Sequence, residues 1–168
     1  MTTPLNPLAT KIFESPVGNI YLTGDKYHLY KCSFNKPDLL IPDDNSPILE
    51  TAATQLREYF AGSRRSFDLP ISMNASAFFM KVWMILRQIE YANTTTYKEI
   101  SELLRLKNGA RAVGRAASEN PLLIIIPCHR VLGENGSLTG YAGGKDVKRF
   151  LLNFERDHST LKPDNLLF

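Results

Sequence analysis

The stretch Thr95–Ser118, TTYKEISELLRLKNGARAVGRAAS, decides the fold of the C-terminal half. Thr96 and Glu99 stand at the spacing of a capping box, so a helix opens at Tyr97, and Ile100, Leu103 and Leu104 give it an inward face. Arg105 to Gly109 reads as a tight turn containing glycine, and Ala110 to Ser118 as a second helix. Two short helices joined in this way form a helix-turn-helix pattern, which spacing alone does not separate from an ordinary αα-hairpin. The second helix has only small residues beside Arg111 and Arg115, so its backbone could approach a partner closely. Arginines on so slim a helix suit a nucleic-acid groove, and they equally suit a short packing helix with solvated charges.

Working outward toward the C-terminus, Asn120-Pro121 should end the second helix, because the residue before proline is pushed out of the α region. Leu122–Ile126 is a five-residue apolar run and reads as a buried strand or extended segment that delivers Pro127-Cys128-His129-Arg130. Pro127 lacks an N–H, so a regular strand should stop there. Cys128 is then either a nucleophile or an inert buried thiol. In an extended backbone adjacent side chains point apart, so His129 would reach the thiol through a water rather than directly. Glu155 is the acid nominated to orient His129. It closes an amphipathic helix whose apolar side is read as Val147, Phe150, Leu151 and Phe154, and on spacing alone it could simply face water. GSLTGYAGG, Gly136 to Gly144, allows a tight loop carrying Tyr141 and matches neither a P-loop nor a dinucleotide fingerprint.

Working toward the N-terminus, Ser76 can cap a helix whose Phe78, Val82, Ile85, Leu86 and Ile89 share one face. Ser63 to Asn74 reads as a strand plus linker. Before it, TKIFES, NIYLTG and YHLYKCSF alternate between turn residues and predict an antiparallel meander. Ser46-Pro47 starts a helix with Leu49, Ala52, Ala53, Leu56 and Phe60 inward, stopped by Gly62. The chain therefore divides into a small N-terminal α/β domain with its linker, residues 1–74, and a C-terminal domain, residues 75–168. The fold class is α+β.

Composition agrees with an ordinary globular protein: 168 residues, 43% hydrophobic and 22% charged. No apolar run approaches the roughly 20 residues that span a bilayer, and the N-terminus lacks the order of a secretory signal, so a soluble, cytoplasmic protein is expected. Two cysteines, Cys32 and Cys128, offer neither CxxC nor a zinc spacing, and His28 near Cys32 reads as a strand neighbour. No metal and no cofactor are expected. The net charge of +3 is unevenly spread: residues 1–74 hold 7 Lys+Arg against 8 Asp+Glu, whereas residues 75–168 hold 13 against 9. The C-terminal half is thus the better candidate for meeting a polyanion.

TTYKEI, ARAVGRA, ENP, IPCHRV, GYAGG and KRFLLNFE, in this order and spacing, resemble the O6-alkylguanine-DNA alkyltransferases. The likeness covers about residues 78 to 156. It implies a ribonuclease H-like N-terminal domain and a mainly helical C-terminal domain with a winged helix-turn-helix. It further implies that an alkylated guanine is flipped out of double-stranded DNA into a pocket. On this likeness Cys128 takes the alkyl group irreversibly, His129 deprotonates it through water, and Glu155 orients His129. Arg111 would fill the space left by the base, Tyr97 would crowd the 3′ phosphate, and Asn120 would be the hinge before the cysteine segment. Tyr141, Val131 and Ala142 would line the pocket. Ala110, Ala112 and Gly114 would allow close approach in the minor groove. The substrate implied is O6-alkylguanine, with O4-alkylthymine left open. The protein would act as a monomer associated with the nucleoid, with cooperative loading on DNA left open. Glu90-Tyr91-Ala92 departs from the Pro-Tyr-Gly of many members and puts that loop's shape in question.

The rival in another class is a non-enzymatic DNA-binding sensor of alkyl lesions, whose relatives replace the cysteine that this chain keeps. A transcriptional regulator is disfavoured by a recognition helix with few side chains for reading bases.

Overall fold

Apolar alternation folds the N-terminal unit, which ends at Met73. The computed structural model describes residues 8–43 and 45–159. Strands β1 (Ala9–Ser15), β2 (Gly18–Gly24) and β3 (Leu29–Ser33) pair antiparallel in that order, with Phe13 opposite Ile20 and Leu22 opposite Cys32. One face buries Phe13, Ile20, Leu22, Leu29 and Cys32 under helix α1 (Pro47–Phe60). Pro47 occupies the first turn as its fixed φ favours, while the Ser46 hydroxyl makes no cap hydrogen bond. The inward stripe ends on Tyr59 rather than the expected Phe60, which is half-buried and stacks on Phe13 with ring centroids 6.2 Å apart. The strand expected after Gly62 shrinks to one bridge, Ile71 with Leu29. The Gln55 amide bonds the backbone of Asp68 through both its atoms, which ties this segment to α1 instead of a sheet.

The second unit starts at Asn74 and holds helices α2 (Ala77–Leu86), α3 (Tyr97–Leu103), α4 (Ala110–Ser118) and α5 (Lys145–Asp157). Ser76 caps α2 by accepting from Phe79 N–H. The capping box forms as expected: Thr96 accepts from Glu99 N–H, and the Glu99 carboxylate accepts from Thr96 N–H. A cap of this kind stabilises a helix by about 1 kcal/mol, enough to matter in a helix of seven residues. Leu103 does not turn inward; it is 70% exposed, because so short a helix presents only Ile100 and Ser101 to the core. At Gly109, which closes the turn, an added Cβ would lie 2.5 Å from Leu106 Cβ, so no other residue fits. Helix α4 then buries Val113, Ala116 and Ala117, and Ala116 O accepts from the indole N–H of Trp83 at 2.7 Å.

Strands β4 (Thr95–Thr96) and β5 (Val131–Leu132) pair in parallel, with Thr95 opposite Val131, and complete the winged helix-turn-helix. Among the described residues no helix is long and apolar enough to cross a membrane.

Candidate active site

The segment that carries Cys128 is neither the strand nor the extended segment that its composition predicts. Leu122–Ile126 folds into a buried turn closed by Ile126 N–H donating to Leu122 O at 2.8 Å, with Ile124 at φ +72°. Asn120 out-competes sheet pairing here. Its Oδ1 accepts from Leu122 N–H at 3.0 Å, and its Nδ2 donates to Ile126 O at 2.8 Å. A β-branched residue at positive φ costs about 1–3 kcal/mol, and burial of the whole turn holds it in place.

Beyond Pro127 the backbone is not extended either: Cys128–Arg130 make one 3-10 turn. Cys128 is 3% exposed, and Asn120 Nδ2 donates to its Sγ at 3.2 Å. Asn120 thus touches both ends of the turn and the thiol. Burial pushes the Cys128 thiol up to about 11, while the Asn120 amide and the Lys148 charge favour its anion. Cys32, by contrast, is fully buried with nothing polar to oppose the upward push of burial, and it is an inert core thiol.

His129 does not bond Cys128. Its Nε2 lies 2.7 Å from Glu155 Oε1, and since a carboxylate only accepts, Nε2 carries the proton of the neutral ring. Nδ1 is buried and makes no hydrogen bond to protein, which leaves it as the ring's accepting atom. Burial holds His129 below the ordinary histidine range, against the pull of Glu155 and with the help of Arg130 and Lys148. The expectation that His129 does not grip Cys128 stands, though its premise of an extended chain does not.

Glu155 is fully buried, and its donors include His129 Nε2, Arg130 Nε at 2.9 Å, Arg130 Nη2 at 2.9 Å and Ala92 N–H at 3.0 Å. Burial disfavours its charge, but His129 and Arg130 outweigh that and hold the carboxyl well below the usual carboxylate range. Ala92 sits at φ +62°, and its N–H reaches this carboxylate.

Helix α5 explains why Glu155 faces in. Its buried stripe is Lys148, Leu151, Leu152 and Glu155, spaced i, i+3, i+4, i+7, so two of four inward positions are charged. The expected apolar side is rotated: Leu151 is buried, but Val147, Phe150 and Phe154 are half-buried, with Phe150 and Phe154 stacked at 5.9 Å. Sequence reasoning missed Lys148. Its Nζ donates to Val131 O at 2.5 Å and Thr139 O at 3.0 Å and lies 5.7 Å from the centroid of the Tyr97 ring. The pair Leu151-Leu152 was the signal that could have set the phase and exposed it. Burial pulls the Lys148 ammonium down to about 8.

Tyr97 is half-buried, and its hydroxyl donates to Thr139 O at 3.1 Å. Tyr141 is buried with its ring edge-on to His129 at 6.3 Å, and Val131 is fully buried, so both lie with the Cys128 group. Ala142 is exposed. Arg111 and Ala112 are exposed on α4, with Ala110 and Gly114 half-buried on the same helix. The structure thus brings together Cys128, His129, Glu155, Asn120, Tyr141 and Val131, and leaves Arg111 and Ala112 facing outward.

Among the described residues no cluster of three His, Cys, Asp or Glu could hold a metal. What the arrangement can do is ionise a buried thiol by way of a neutral imidazole held by a fixed carboxylate.

Two family models match. The 6-O-methylguanine DNA methyltransferase ribonuclease-like domain covers residues 8–73, and the DNA-binding domain of the same name covers residues 77–157. The chain is 44% identical over 149 residues to the methylated-DNA–protein-cysteine methyltransferase of Methanosarcina acetivorans, which spans 86% of this chain and 96% of that protein. It is 39% identical over 155 residues to the constitutive methylated-DNA–protein-cysteine methyltransferase of Bacillus subtilis, with 92% of each covered. Among solved structures, the Mycobacterium tuberculosis O6-methylguanine methyltransferase superposes with a TM-score of 0.84 at 34% identity, covering 95% of this chain and 97% of that one. The M. tuberculosis OGT in complex with DNA gives a TM-score of 0.82 at 36% identity, covering 90% and 94%. With domain models matched over residues 8–73 and 77–157 and relatives of this identity along most of its length, the chain belongs to the 6-O-methylguanine DNA methyltransferase family.

Proposed function

We propose that this chain repairs DNA by moving the alkyl group of O6-alkylguanine onto its own Cys128, once per molecule. The observation that carries the reading is the buried sulfur of Cys128, held by Asn120 beside a histidine–glutamate pair whose free ring nitrogen is Nδ1. Thiol chemistry alone would be slow, because a thiol near 11 is almost wholly protonated at neutral pH. His129 Nδ1 takes the thiol proton through a bridging water. The sulfur then attacks the alkyl carbon on O6, the S–C bond forms as the C–O bond breaks, and guanine leaves as an anion that is reprotonated. The product is a thioether, which nothing in the site can reverse.

The target atom is shielded inside a duplex, so the base is rotated out. Arg111, exposed in the first turn of α4, occupies the gap, and the small Ala110, Ala112 and Gly114 let the helix backbone close on the minor groove. Tyr97, whose hydroxyl donates to the Thr139 carbonyl, crowds the 3′ phosphate, and Tyr141, Val131 and Ala142 line the pocket that takes the base. Binding rests mainly on phosphate contacts and weakens steeply with salt. One chain holds every group named, so the protein works as a monomer, on cytoplasmic, nucleoid-associated DNA.

A lesion sensor without chemistry would not need the thiol or its polar partners. The test is loss of O6-methylguanine from a duplex at limiting protein: repair should stop at one lesion per molecule. Continued turnover, or binding with no lesion lost, would overturn the reading.

A further inference from the structure

Beside Lys148, the Cys–His–Glu group has a second buried cation, the guanidinium of Arg130, which is 5% exposed. Arg130 follows His129 on the same 3-10 turn, so adjacent residues present their donors to one carboxylate. Its Nε reaches Glu155 Oε2 and its Nη2 reaches Oε1, both at 2.9 Å, a two-pronged fork that fixes the plane of the carboxylate. Its remaining Nη1 donates to Ile89 O, and the guanidinium carbon lies 5.7 Å from the centroid of the Tyr91 ring. Arg130 is therefore anchored from behind by the loop that follows α2 and aimed forward at Glu155. Ala92 N–H, from the same loop, takes another lone pair of that carboxylate.

We infer that Arg130 is a positioning residue for alkyl transfer, which locks Glu155 against His129 Nε2 and shares its negative charge, so that His129 Nδ1 is held as an unprotonated acceptor toward Cys128. The inference rests on the reading of Cys128 given above. Oε1 is the atom shared by Arg130 Nη2 and His129 Nε2, so the fork sets where the imidazole's hydrogen-bond partner sits. The fork also decides how strongly Glu155 draws a second proton onto the ring. An unshared carboxylate at 2.7 Å in a buried site stabilises imidazolium, and an imidazolium cannot take the thiol proton. The other charged or titratable groups around His129 are Lys148 on α5, Cys128 on its own turn and Tyr141 ahead of α5. Glu155 is the group that draws a second proton toward His129, against Arg130 and Lys148, so its sharing is the adjustable part of the balance. Removing one partner of a buried pair also destabilises the fold, so the pH profile has to be read beside the melts.

The test compares full-length wild type with Arg130→Met and Arg130→Lys, following the rate of methyl transfer from an O6-methylguanine duplex between about pH 5 and 9, with thermal melts alongside. In wild type the rate falls on the acid side as His129 becomes protonated. Arg130→Met removes the cation from Glu155, and its acid limb should move up by about one pH unit, with a neutral-pH rate at least roughly tenfold lower. Arg130→Lys keeps the charge and loses the fork; its acid limb should stay within a few tenths of a unit of wild type while the rate falls severalfold. An Arg130→Met limb that stays put, with the rate falling in step with the melting temperature, would reduce Arg130 to a structural role. Should Arg130→Met fail to fold, Arg130→Lys decides, and wild-type rates across the whole range would overturn the inference. If wild type itself carries no methyl group on Cys128, the underlying reading fails instead, and that outcome is separately visible by peptide mass.

Discussion

His129 Nε2 and Glu155 Oε1 lie 2.7 Å apart, and both side chains are completely buried. The pair links pH to stability in one direction. Glu155 is held below its unfolded value, so its contribution is present above about pH 4.3 and is lost as pH falls toward the folded value. His129 is also held low, by burial, so the unfolded chain binds its proton first as pH drops through about 6.5, and this too favours unfolding. Stability should therefore decline from about pH 6.5 downward and fall faster below about pH 4.3. Glu155→Gln leaves Arg130 without a counter-charge and should cost about 3–5 kcal/mol at pH 7 while flattening the lower part of the decline. Urea unfolding across pH checks both; a variant with the wild-type acid profile would count against the coupling.

Asn120 serves the Leu122–Ile126 turn and the thiol with one amide. Asn120→Ala leaves Ile126 O and Leu122 N–H without their partner in a buried turn that already holds Ile124 at positive φ. A loss of about 2–3 kcal/mol is expected, together with a thiol that ionises less readily. Iodoacetamide labelling of Cys128 at fixed pH, in a folded sample, reports the second effect, and unchanged labelling would remove Asn120 from the chemistry.

Gly114 has no internal reason to be glycine. An added Cβ would meet the Tyr97 ring at 3.8 Å, an ordinary contact, and glycine inside a helix costs about 0.5–1 kcal/mol relative to alanine. Gly114→Ala should thus stabilise the protein by that amount and weaken duplex binding by severalfold. Thermal melts and fluorescence anisotropy separate the two, and equal or tighter binding would argue against close approach at this position.

The C-terminal elements were legible because their signals are local: a capping box, a turn at Gly109 that only glycine fits, and two arginines on a helix of small residues. Leu122–Ile126 misled because composition records that a segment is buried, not how its backbone hydrogen bonds close, and here one side chain, Asn120, closes them. The phase of α5 misled for the opposite reason. Lys148 and Glu155 are charged yet inward, so a hydrophobic stripe drawn through Val147, Phe150 and Phe154 runs beside the buried one. Cys128, His129 and Glu155 were found as candidates, but their connection depended on a 3-10 turn that no spacing rule announces.

Arg111 is exposed in the first turn of α4 and far in role from the thiol. Arg111→Ala should slow repair of duplex DNA by roughly tenfold or more while leaving reaction with free O6-benzylguanine near the wild-type rate, since only the duplex needs its base displaced. Parallel single-turnover assays on the two substrates check this, and equal losses would argue against a gap-filling role.

The central claim is that Cys128 Sγ is the alkyl acceptor. Wild type and Cys128→Ser are each incubated with a duplex containing one O6-methylguanine, then digested and mapped by peptide mass. The expected result is a single methyl group on the wild-type peptide carrying Cys128 and none on the variant. Methyl retained by Cys128→Ser, or found in wild type on any other residue, would contradict it.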